Sequence, residues 1–127
     1  MNTDEITAKY KNDLSENERE MGELLSKKRS LEETRHNLNA WKRKNQAFYG
    51  QMRSELASEG LTQELRVVDN ILDSTEHACR IVDRSCEQMH EDIERQRKKL
   101  SVQKDDYEIN YRRAMQSIGK ERGGVAT

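Results

Sequence analysis

From Leu61 onward, apolar residues recur in alternating steps of four and three for more than seven heptads. The row is Leu61, Leu65, Val68, Leu72, Thr75, Cys79, Val82, Cys86, Met89, Ile93, Gln96, Leu100, Gln103, Tyr107, Asn110 and Ala114. Twelve of these sixteen positions are apolar. A repeat of 3.5 residues is the signature of a helix whose seam faces another helix, and a strand cannot carry it. No proline interrupts any part of the chain, so nothing stops long helices from forming.

The first half carries a weaker version of the same row. Tyr10, Leu14, Asn17, Met21, Leu24, Lys28, Leu31, Arg35 and Leu38 keep the four-three step. The row then predicts a slip at Trp41, of the kind that locally overwinds a coil, and resumes through Asn45, Phe48, Met52 and Leu56. Polar residues at Asn17, Lys28, Arg35 and Asn45 lower stability and pin the register. Ser58-Glu59-Gly60 is the one break between the rows, with Gly60 suited to the residue after a helix end and Thr62 to the start of the next helix.

The expected fold is therefore all-α, a long antiparallel two-helix coiled-coil hairpin forming a single unit over 1–127. Helix 1 is expected over about 5–57, the turn at 58–61, helix 2 over about 62–118, and a frayed tail at 119–127. A turn near residue 60 sets Trp41 against Ala78, Phe48 against Ile71 or Leu72, and Leu38 against Val82. It also places Glu16, Glu18, Glu20 and Glu23 opposite Arg95, Arg97, Lys98, Lys99 and Lys104, which favours a hairpin over one continuous rod.

Composition narrows the function classes. Charged residues are 37% and apolar ones 32%, too few of the latter for a compact core of ordinary size. The 23 basic and 24 acidic residues cancel, which disfavours a dedicated nucleic-acid binder, although Lys42-Arg43-Lys44 beside Trp41 is locally basic. No apolar run reaches the roughly 18 residues of a membrane span, and the polar start predicts no secretory signal. Cys79 and Cys86 lie about 10 Å apart along one helix, so they are expected to be free thiols in a reducing, cytoplasmic setting.

No catalytic constellation stands out. His36, His77 and His90 are dispersed, and His90 with Glu94 or Cys86 supplies only two ligands of one face, so neither a metal nor a cofactor is expected. The chain reads as a non-enzyme. What exceeds the needs of a hairpin is apolar width. Val67, Ile71, Ala78 and Ile81 form a second four-three row beside the main one, opposite Trp41, Phe48, Tyr49 and Met52. These residues (Trp41, Phe48 and Met52 from helix 1; Val67, Ile71, Ala78 and Ile81 from helix 2) are the candidate partner-binding face. A partner's helix or a second copy of the chain, making a homodimeric four-helix bundle, both suit such a surface.

The late segment Lys99-Leu100 through Asp105-Asp106-Tyr107 to Tyr111-Arg112-Arg113, and the aromatic end of helix 1 at Trp41 and Phe48-Tyr49, resemble a known family. It comprises the small helical-hairpin accessory proteins of LXG toxins in the Gram-positive type VIIb secretion system, WXG100-like in shape. The turn has Ser58-Glu59-Gly60 in place of Trp-x-Gly, and neither Tyr107 nor Tyr111 is followed by an acidic residue four later. The resemblance thus implies a cytoplasmic adaptor or chaperone, not an exported protein. Its partners would be the helical N-terminal domain of a toxin client and a second small hairpin protein. The competing reading is a self-associating structural coil, such as a stalk or spacer like that of type III secretion.

Overall fold

The computed structural model describes residues 2–126, with side chains described for 2–121. Two helices account for almost all of it: α1, Thr3–Ser58, and α2, Thr62–Ala126. No strand occurs among the described residues. The fold is an all-α helical hairpin, as the paired rows predict. α1 is capped by Asn2, whose Oδ1 accepts the Glu5 backbone N–H at 2.8 Å. α2 continues through Gly119 to Ala126, where fraying is expected from 119. Gly119, Gly123 and Gly124 each cost the helix about 1 kcal/mol relative to Ala, but no proline follows to stop it.

Gly60 makes the reversal. Its φ is 69°, in the left-handed region that glycine enters without steric cost. Its N–H reaches the Ala57 carbonyl at 3.2 Å, and the Leu61 N–H reaches the Leu56 carbonyl at 3.0 Å. This pair of bonds is a Schellman closure, and it satisfies the last carbonyls of α1. Thr62 is not the cap that its residue type suggests. It lies within α2, and its hydroxyl turns back to the Gly60 carbonyl.

Two compact units divide the chain, one pairing the residues up to Lys27 with those from Asp92 on, the other spanning Lys28–Glu91 with the turn. In the first, Leu24 and Ile93 are buried, and the Tyr10 and Tyr111 rings stack with centroids 4.4 Å apart. Asn17 is also buried there, only 3% exposed. Its Nδ2 donates to the Leu100 carbonyl at 2.8 Å and to Gln103 Oε1 at 3.1 Å, so the polar seam position is satisfied across the pair. Several members of the acidic and basic clusters of this unit pair along their own helices. Arg19 bridges Glu16 and Glu23, while Arg95 pairs with Asp92 and Arg97 with Glu94.

In the second unit the buried side chains are Leu31, Val68, Cys79 and Cys86, and both cysteines are free thiols. Arg35 donates from Nε and Nη2 to one Asp83 oxygen at 3.1 and 2.8 Å. Arg53 Nε meets Asp69 at 2.7 Å. These pairings fix the antiparallel register that the Gly60 turn predicts.

The seam itself differs from the predicted one on both helices. On α1 there is no slip. The four-three row runs straight on from Leu38 through Lys42, Asn45, Tyr49 and Met52 to Leu56, all half-buried. Trp41 and Phe48 stand outside it, 50% and 60% exposed. An unbroken helix keeps its phase without the overwinding that a slip imposes. Lys42 can follow because its aliphatic stem covers the seam while its ammonium reaches water. On α2 the series Cys79, Cys86, Ile93, Leu100 and Tyr107 holds, but its companions lie one residue later than predicted. Asp83 and His90 are half-buried, whereas Val82 and Met89 are 40% and 54% exposed. Leu38 accordingly sits beside Cys79 and Asp83, not Val82.

The Asn17 contacts generate a test of register. In Asn17→Asp the hydrogen bond to the Leu100 carbonyl becomes repulsion between acceptors, which Gln103 offsets only in part by turning its amide to donate, so stability should fall by about 1–3 kcal/mol in urea unfolding. Asn17→Leu should leave stability unchanged or higher, while a single-cysteine crosslinking scan reports more than one pairing of the arms.

Candidate partner-binding face

The Lys28–Glu91 unit has two unlike flanks. One is polar. Asn39 and Arg80, each one residue after a seam position, line a shallow groove with Arg35, Lys42 and Asp83. The Arg53–Asp69 ion pair occupies equivalent positions, one residue after Met52 and Val68. In an antiparallel pair the positions just after the seam on both helices share one side, and those just before it share the other.

The residues just before the seam form the second flank. On α1 these are Trp41 and Phe48, ahead of Lys42 and Tyr49, together with the polar Asn37, Lys44, Gln51 and Glu55, ahead of Leu38, Asn45, Met52 and Leu56. On α2 they are Ile71 and Ala78, ahead of Leu72 and Cys79, then Val82 and Met89, ahead of Asp83 and His90. Ile71 is half-buried, and the other five apolar side chains are exposed. Val67 and Ile81 extend the patch outward and are exposed as well. Met52, by contrast, lies in the seam and is half-buried, so it supports the face from behind. Trp41 and Ala78 stand level, as the register set by Arg35–Asp83 requires, but side by side on the flank and not as a buried pair. The Phe48 ring meets Tyr49 edge-on, with centroids 5.1 Å apart, which ties the exposed aromatic to a seam residue.

The α2 contribution to this flank carries no charge over more than six turns. Val67, Ile71, Ser74, Ala78, Val82, Ser85 and Met89 follow one another at steps of three or four. In a chain that is 37% charged, such a run leaves an apolar strip rimmed by small hydroxyl side chains. Val82 and Met89 belong to it, although their apolar character assigns them to the seam when sequence is read alone.

The Arg35 guanidinium is held above its ordinary pKa, chiefly by its hydrogen bond to Asp83 and against the opposing effect of desolvation. Glu87 adds a longer contact at 3.7 Å. Outside this unit, the Tyr10–Tyr111 stack and Tyr107 line a shallow cavity of about 210 Å³ with Lys9 and Asp13. Desolvation raises the Tyr107 phenol above its ordinary pKa, with Asp13 adding to the effect. No group of three or more His, Cys, Asp or Glu side chains converges on a metal-sized site among the described residues. Nor is any helix among them long and apolar enough to cross a membrane.

Comparison with protein-family models, with curated proteins and with solved structures finds no match to this chain. The exposed flank is therefore read from its own geometry. The role of Arg35 is testable by a double-mutant cycle with Arg35→Leu and Asp83→Leu. The pair should show favourable coupling that shrinks as salt is added. The double variant, with an all-apolar seam at this level, should unfold at a higher temperature than either single variant.

Proposed function

We propose that the chain is a non-enzymatic helical adaptor that holds the helices of a client on the flank formed by its uncharged α2 row and the α1 aromatics. In the fuller form of this reading, the client is the helical N-terminal domain of a secreted toxin. The adaptor then helps deliver it to a type VIIb secretion system, with a second small hairpin protein as co-partner, in the cytoplasm. The observation that carries the adaptor reading is the exposure of Trp41, Phe48, Ala78, Val82 and Met89 together on one side of the Lys28–Glu91 unit. A two-helix pair covers one stripe per helix, and a third helix laid along this flank removes the remaining strip from water. The toxin-targeting part rests on the resemblance of the Asp105-to-Arg113 segment and of the aromatic end of α1 to LXG accessory proteins.

The test is co-expression with the helical domain of an LXG toxin, followed by affinity capture and circular dichroism. Burying one large apolar side chain is worth about 1.5–3 kcal/mol, so Phe48→Asp should weaken capture by about tenfold or more while helicity is retained. Asn39→Asp, on the polar flank, should leave capture unchanged. Equal capture by both variants removes this flank as the client site.

A further inference from the structure

The uncharged row on α2 has a symmetry that no single bound helix requires. Its successive steps from Val67 to Met89 are four, three, four, four, three and four, the same read from either end, with Ala78 at the centre. Turned end for end about Ala78, the row meets itself position for position. Val67 then opposes Met89, Ile71 opposes Ser85, Ser74 opposes Val82, and Ala78 opposes Ala78. At the two inner levels a branched side chain faces a serine, and at the centre two methyl groups allow close approach of the backbones. That is the large-against-small alternation that close packing asks for.

We propose that the occupant of this flank in the chain by itself is a second copy, packed antiparallel about a two-fold axis at Ala78. Three further observations support a second copy. A two-fold interface must be self-complementary, and the row is so in both spacing and size. On α2 the row carries no charged side chain into the contact, and on α1 the stem of Lys44, between Trp41 and Phe48, is long enough to keep its ammonium in water. The chain exposes 9882 Å², where a compact monomer of 14.9 kDa exposes about 7,000 Å². A standard interface of about 800 Å² per partner is well within that surplus. Because Trp41 stands level with Ala78, the same axis sets Trp41 of one copy beside its equivalent in the other and Phe48 beside the partner's exposed Thr34, closing a four-helix arrangement over both helices of the unit.

This inference shares its surface with the adaptor reading but not its test, which uses the chain alone with no client present. Sedimentation equilibrium from about 1 to 100 μM should give twice the 14.9 kDa chain mass at the upper end. The single tryptophan of the sequence, Trp41, reports the same event, its emission shifting to shorter wavelength as the dimer forms. Ala78 is exposed, so Ala78→Glu should keep the helicity of the hairpin. It places two carboxylates at the axis and should raise the dissociation constant by about 100-fold or more. Asn39→Glu on the opposite flank should leave the constant within about twofold. A chain that stays monomeric throughout, or one whose association is equally weakened by both substitutions, overturns the proposal. Client capture by a strictly monomeric chain would leave the adaptor reading standing without it.

Discussion

One charged contact inside the seam decides how this hairpin presents itself. Arg35 occupies a position on α1 that an apolar residue would normally fill, and with its side chain 34% exposed the guanidinium reaches the seam's edge, where it can meet a carboxylate. Asp83 supplies it through two donated hydrogen bonds. For that carboxylate to face Arg35, α2 must turn so that Asp83, not Val82, enters the seam, and His90 follows in place of Met89. The two displaced apolar side chains then emerge on the flank that already carries Trp41 and Phe48. A polar requirement at one level of the core thus creates an apolar surface outside it. Near this contact the charges fall on the other flank: the positions just after the seam carry Arg80 and the Arg53–Asp69 pair, and those just before it on α2 carry none from Val67 to Met89.

The architecture is legible in the sequence because its evidence is redundant. Seven-residue spacing recurs through Leu24 and Leu31 on one arm and through Cys79, Cys86 and Ile93 on the other, and all five are buried. Gly60 has the only positive φ among the described residues, and no proline competes with it for the turn. Each of these signals is local and points to the same hairpin. Thr62 does not cap α2, because the Schellman closure on Gly60 and Leu61 starts the helix one residue earlier than a threonine cap would.

The candidate face was only partly legible, for a physical reason. Val67, Ala78 and Ile81 are found by the width of the apolar arc alone, whereas Trp41 and Phe48, which periodicity draws into the seam, stand exposed beside it. Val82 and Met89 are not, since apolarity favours them for the seam over Asp83 and His90. The choice between neighbouring positions is made by the partner helix, through Arg35, and a periodicity read along one helix does not contain it. The slip predicted at Trp41 arose in the same way. Tryptophan looks like the better core residue beside Lys42, yet a continuous helix keeps its phase, and the lysine stem is apolar enough to follow.

The shift from Val82 to Asp83 has a mechanical consequence for α2. Its seam passes through Leu72, Thr75, Cys79 and Asp83, eleven residues over three turns, where α1 keeps strict sevens. A seven-residue repeat winds two helices left-handed about each other, whereas an eleven-residue step relaxes that winding almost to zero. The uncharged row has the same spacing, from Val67 through Ala78 to Met89 in two steps of eleven, so it stays on one side of α2 across the locally unwound stretch. A straight helix of matching length can then stay in register with the row from Val67 to Met89 without bending, which a wound seam would deny it.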